Sequence, residues 1–104
     1  MKIVAVTACP TGIAHTYMAQ EAIEKECRNR GYEIKVETQG SMGVENELEQ
    51  DEIDASDVVI LAIAVGIDGE ERFEEKEELG KVINVEPGDA IKNVVEIINK
   101  AEKL

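Results

Sequence analysis

The sequence predicts a single α/β domain over residues 1–104, with a four-stranded parallel sheet flanked by helices on both faces. Short runs rich in Ile and Val, at 2–7, 33–38, 57–64 and 81–85, alternate with segments of helical periodicity, and this alternation favours parallel strands joined by right-handed crossovers. A length of 104 residues also suffices for one core and is too short for two ordinary ones.

The first strand, 2–7, is apolar almost throughout, as a strand buried on both faces reads. A helix is expected over 14–30, with Met18, Ala22, Ile23 and Cys27 on its apolar face and Gly31 as its stop. In the second strand Ile34, Val36 and Thr38 alternate with Glu33, Lys35 and Glu37, which predicts one more solvated face. A loop is expected at 39–43, then a short exposed helix within 45–56 whose apolar points are Leu48 and Ile53.

The strongest apolar run, 57–64, reads as a central strand and 81–85 as a shorter one. Between them the charged stretch 69–78 reads as a solvated helix or loop. After Glu86-Pro87-Gly88, Asp89 is expected to cap one last helix with Ile91, Val94, Val95 and Ile98 on one face. In such a fold, ligand sites lie beyond the carboxyl ends of the strands.

Composition removes several functions. With 11 Lys and Arg against 23 Asp and Glu, the formal net charge is −12, which repels nucleic-acid phosphates and anionic membrane faces. The aromatic residues are Tyr17, Tyr32 and Phe73, too few for stacking on bases. The longest uncharged apolar stretch, 58–65, is far short of the roughly 20 residues that span a bilayer, and the start of the chain lacks the pattern of a secretory signal. A cytoplasmic protein without direct membrane insertion is expected, and Met1 just before the first strand favours a separate subunit. Cys27 falls on the apolar helix face and Cys9 in a loop, so both read as reduced thiols.

The segment that carries chemistry is Ala8-Cys9-Pro10-Thr11-Gly12-Ile13-Ala14-His15-Thr16, where the first strand gives way to the first helix. Backbone N–H groups at a helix start lack helical partners, and the helix dipole adds partial positive charge, so phosphate oxygens are held well there. Gly12 permits the backbone to turn inward. Thiols in this setting are favoured as thiolates, which makes Cys9 the candidate nucleophile for phosphoryl transfer, with no metal or other cofactor required. Thr11 and Thr16 can donate to a phosphate or act as ordinary caps, and His15 can contact the phosphoryl group or simply be a helical surface residue. No Gly-Lys-Ser/Thr loop and no Cys-x-x-Cys pair is present. The loop also has no arginine, whose bidentate guanidinium a cysteine-based phosphatase would need.

Across nearly its whole length the chain resembles the cytoplasmic enzyme IIB component of the fructose class in the phosphoenolpyruvate-dependent sugar phosphotransferase system. The resemblance is carried by Val4-Ala5-Val6-Thr7-Ala8-Cys9-Pro10-Thr11-Gly12-Ile13-Ala14-His15-Thr16, by Val36-Glu37-Thr38-Gln39-Gly40-Ser41 and by Val58-Val59-Ile60-Leu61-Ala62. It implies that Cys9 takes phosphate from a phosphohistidine on a IIA protein or domain and passes it to a sugar, fructose by default, bound by a membrane IIC permease. It implies further that Pro10, Thr11, Gly12, Ile13, Ala14, His15 and Thr16 form the phosphate-holding loop, with Gln39 and Gly40 nearby. Relatives often carry Ala-Ala-Asp where this chain has Ala62-Ile63-Ala64, so no aspartate role is carried over to position 64. Arg72-Phe73 with Lys76 resembles a family pattern for which partner contact is an expectation. The alternatives are a low-molecular-weight phosphatase or arsenate reductase, and a non-catalytic module that senses phosphorylation.

Overall fold

The computed structural model describes residues 1–9, 13–40 and 43–104, with Ile13 described by its backbone alone. The strands are β1 (Lys2–Ala8), β2 (Glu33–Gly40), β3 (Gly43–Glu45), β4 (Val58–Ile63) and β5 (Val82–Val85). They form one sheet in the order β3-β2-β1-β4-β5. The four expected strands are parallel, with Ala8 opposite both Gln39 and Ile63 at the carboxyl edge. The fifth is an addition: β2 runs on to Gly40, and β3 returns antiparallel to it where a loop was expected. Its three residues are all exposed, so no hydrophobic period announces it, and Gly43 turns the chain at a φ of +88° that side chains disfavour.

The helices are α1 (Ile13–Asn29), α2 (Gln50–Ala55), α3 (Glu74–Glu78), α4 (Pro87–Lys92) and α5 (Val94–Glu102), with a 3-10 turn at Glu70–Phe73 ahead of α3. Side chains on β1 alternate between two cores. Ile3 and Ala5 join Ala19, Ile23 and Cys27 of α1 and Ile97, Ile98 and Ala101 of α5 on one face. Val4 and Val6 join Leu48, Ile53 and Phe73 on the other. On α1 the buried stripe runs through Ala19 rather than Met18, which is exposed.

Three expectations for the second half are corrected. The last helix is two, because the backbone at Asn93 leaves helical geometry (φ −124°, ψ 31°); the restart shifts the helical phase, so Val95 faces solvent while Ile97 and Ile98 are buried. Asp89 lies inside the first turn of α4, whose N-cap is Glu86 followed by Pro87. The charged stretch 69–78 is not wholly solvated: Phe73 is fully buried, Arg72 lies over its ring at 5.1 Å, and Lys76 donates to the Ser56 carbonyl at 2.6 Å. The residues expected to meet a partner at Arg72-Phe73 and Lys76 are therefore engaged within the fold.

The fourth correction concerns Glu37, expected on a solvated face and found at 0% exposure. Arg72 grips its carboxylate with two bonds of 2.8 and 3.0 Å, and the Leu48 N–H donates at 2.7 Å. Arg72 donates besides to the carbonyls of Leu48, Asp68 and Gly69. Gly69 adopts φ +72°, and a β-carbon there would come within 2.5 Å of Arg72 Nε, so the guanidinium occupies space that only glycine leaves free.

Burial alone pushes the Glu37 carboxyl up, yet the bonds from Arg72, Leu48 and Gln39 outweigh it and hold the group below its ordinary value. The stabilisation from Glu37 is thus present above the ordinary carboxylate range and lost as pH falls through the depressed folded value. Arg72→Ala strands a buried charge and should cost about 3–5 kcal/mol at pH 7 in urea unfolding. Without the guanidinium, burial favours the protonated acid, so the gap between variant and wild type should narrow at pH 4. A gap independent of pH would show that lost packing, not charge, causes the defect.

Candidate functional site

β1 lies between β2 and β4, and the strand order runs outward on one side from β1 to β2 and on the other from β4 to β5, which makes the carboxyl end of β1 the switch point of the sheet. Cys9 stands there, half-buried, directly after Ala8. A cavity of about 370 Å³ opens above it. Gln39, Gly40, Gly43 and Val44 of the β2–β3 hairpin form one wall, and Val65, Gly66 and Asp68 of the loop after β4 form the other. Among the described lining residues the ionisable side chains are those of Cys9 and Asp68, and none is Lys or Arg.

Both walls are tied to the sheet. The Ala64 N–H donates to the Ala8 carbonyl at 3.0 Å, extending the β1–β4 ladder by one bond. The Gln39 amide forms a two-way bridge to Asp68: its Oε1 accepts the Asp68 N–H at 2.8 Å, and its Nε2 donates to the Asp68 carbonyl at 3.0 Å. The same Nε2 donates to Glu37 at 2.6 Å. On the hairpin side, the Tyr17 hydroxyl of α1 donates to the Glu45 carboxylate of β3.

The sequence-derived site residues divide accordingly. Cys9, Gln39 and Gly40 come together around the cavity. Ala14 and His15 are exposed in the first turn of α1, while Thr16 is buried there and its carbonyl accepts the Thr7 hydroxyl at 3.1 Å. Ile13 begins the helix, and Pro10, Thr11 and Gly12 lie outside the described residues. Sequence reading missed the wall at 65–68, which carries no motif and is brought to Cys9 by the pairing of β1 with β4 and held there by the Gln39 bridge. Among the described residues no group of three His, Cys, Asp or Glu side chains is arranged to hold a metal, and no helix is long and apolar enough to cross a membrane.

A half-buried thiol at the switch point of a parallel sheet, ahead of a 17-residue helix, defines a class of α/β proteins that place a cysteine beside a helix start. Comparison with known proteins narrows the class. The family described as "PTS system, Lactose/Cellobiose specific IIB subunit" matches residues 4–100. The chain is 50% identical to the fructose-like EIIB component 2 of Escherichia coli, over 97% of this chain and 92% of that protein. It is 49% identical to the fructose-like EIIBC component of the same species, over 96% of this chain and 20% of that longer protein. A crystal structure of a domain from the fructose-specific IIABC component of Borrelia burgdorferi superposes with a TM-score of 0.85 at 52% identity, covering 96% of this chain and 91% of that domain. The chain belongs to the IIB family of the sugar phosphotransferase system, the family that its sequence resembles.

The two thiols differ sharply in setting. Burial pushes the Cys27 thiol up to about 11, against a smaller lowering by Arg30, and Cys27 has 0% exposure where Cys9 opens on the cavity. Iodoacetamide at pH 7.5 should therefore add one carbamidomethyl group to the native protein, on Cys9, and a second only after denaturation. Mass spectrometry of digested protein would read this, and native labelling of Cys27 would contradict the burial.

Proposed function

We propose that this IIB protein carries phosphate on Cys9 between a phosphohistidine of a IIA protein or domain and a sugar held by a IIC permease. The observation that carries the reading is the position of Cys9: a half-buried thiol opening on a cavity at the carboxyl edge of β1, four positions ahead of the start of α1. In the first step Cys9 Sγ attacks phosphorus; the S–P bond forms, the P–N bond breaks, and the donor imidazole nitrogen leaves with the electron pair and takes up a proton. In the second step a sugar hydroxyl attacks; the O–P bond forms, the S–P bond breaks, thiolate returns to Cys9, and the hydroxyl proton passes to a base on the acceptor side.

The segment 10–16 would hold the phosphate, through the N–H groups that begin α1 and the hydroxyls of Thr11 and Thr16. Arginine is missing from 8–16, which favours a carrier over a phosphatase, because a transferring group clamped by guanidinium is poised for attack by water. The EIIBC name of one relative supports a IIC partner, and the fructose-like and fructose-specific names support a fructose-type sugar. Such a protein works in the cytoplasm and meets the inner membrane face through IIC.

Incubation with phosphoenolpyruvate, the general phosphotransferase proteins and candidate IIA subunits should add one phosphate, about 80 Da, to wild type and none to Cys9→Ser, since a serine hydroxyl is a far weaker nucleophile near neutral pH. Intact-mass spectrometry would read the adduct. An adduct on both proteins would move phosphorylation away from Cys9, and none with any donor would leave a binding module. Sustained release of inorganic phosphate from p-nitrophenyl phosphate would instead make it a phosphatase.

A further inference from the structure

We propose that Gln39 is a positioning residue for phosphoryl transfer, holding the loop after β4 against the Cys9 cavity rather than touching the phosphate itself. The proposal rests on the carrier reading of Cys9.

A glutamine amide has two N–H donors and one carbonyl oxygen. In Gln39 the nitrogen serves Glu37 and the Asp68 carbonyl, and the oxygen accepts the Asp68 N–H. Both donors are spent, so Gln39 could donate to a phosphate only by releasing its hold, and the lone pair left on Oε1 repels an anion. The Asp68 carbonyl is held from a second direction by Arg72 at 3.0 Å, and Arg72 and Gln39 both lean on the Glu37 carboxylate. The far end of the loop is thus fixed by amide and guanidinium groups that are themselves fixed on a buried charge. Val65, Gly66 and Asp68 of that loop form the wall facing the β2–β3 hairpin across Cys9. In-line transfer depends on how the entering group is aimed, and a misplacement near 1 Å can cost on the order of 100-fold.

The bridge also specifies an amide. A glutamate at position 39 could still accept the Asp68 N–H, but its second oxygen would face the Glu37 carboxylate and the Asp68 carbonyl, and both contacts would turn repulsive.

The test is rapid-quench transfer from phosphorylated IIA to wild type, Gln39→Ala, Gln39→Glu and Gln50→Ala over a range of donor concentrations. Gln50 makes a comparable bond, to the Arg72 carbonyl at 3.0 Å, and lies outside the cavity. The saturating rate constant should fall on the order of 10- to 100-fold in both Gln39 variants. The donor concentration at half saturation should stay within about twofold of wild type in both, and Gln50→Ala should match wild type. The two Gln39 variants break the bridge by different routes, so one that misfolds leaves the other as the test. Wild-type rates in a folded Gln39 variant, an equal loss in Gln50→Ala, or a change confined to half saturation would each overturn the proposal. Hydrogen exchange at the Asp68 amide, slow in wild type and fast in both Gln39 variants, reads the bridge without any phosphate. A wild-type protein that accepts no phosphate overturns the carrier reading, and with it any role of Gln39 in transfer, even where that exchange confirms the bridge.

Discussion

The carboxylate of Glu37 has no solvent exposure, and the guanidinium of Arg72 is the cation that matches it. A charge taken out of water costs several kcal/mol and is tolerated only when its partner and hydrogen bonds are well placed. Those requirements reach far along the chain. Glu37 fixes the end of β2, Leu48 fixes the approach to α2, Asp68 and Gly69 fix the loop after β4, and Arg72 fixes the 3-10 turn that sinks Phe73 into the second core. Three segments distant in sequence, at 37, 48 and 68–72, share one ion pair, and the sheet edge that bears Cys9 is shaped by it.

The parallel strands were legible because burial on both faces leaves Ile and Val runs that composition exposes directly, as in 2–7 and 57–64. Glu37 was not, since its neighbours Glu33 and Lys35 set an alternation whose simplest reading is a solvated face. The partner that reverses the reading stands 35 residues away in a stretch crowded with glutamates. β3 escaped for a different reason: three exposed residues carry no periodicity, and only their pairing with Thr38, Gln39 and Gly40 of β2 makes them a strand. The division of the last helix at Asn93 is likewise a backbone event, invisible in a pattern that keeps its apolar residues on both sides of the break.

The candidate site was legible in part. Cys9 and its loop announce themselves through Pro, Thr and Gly between a buried strand and an amphipathic helix. The resemblance also brought Gln39 and Gly40 to that place, although not what the Gln39 amide bonds. Nothing in Val65-Gly66-Ile67-Asp68 marks it as a wall, because its closeness to Cys9 comes from the register of Ala8 against Ile63. A position set by register is a property of three dimensions, and no local chemistry betrays it.

The electrostatic character of the cavity follows from these parts and bears on the proposed carrier role. Its described walls offer one carboxylate, that of Asp68, and no cationic side chain, within a chain of net charge −12. A dianionic group on Cys9 would then depend for its stabilisation on the start of α1, where each negative charge gains roughly 0.3–1 kcal/mol when exposed, and up to about 2 kcal/mol when partly buried. Stabilisation of that size holds a phosphate in place without sinking it into a deep well. A carrier must release to the next acceptor what it has just received, so modest and directional hydrogen bonding suits it better than a guanidinium clamp. Arg72 is committed to Glu37 and the loop carbonyls instead, where it shapes the wall; in the proposed carrier, that leaves a phosphoryl group free to move on.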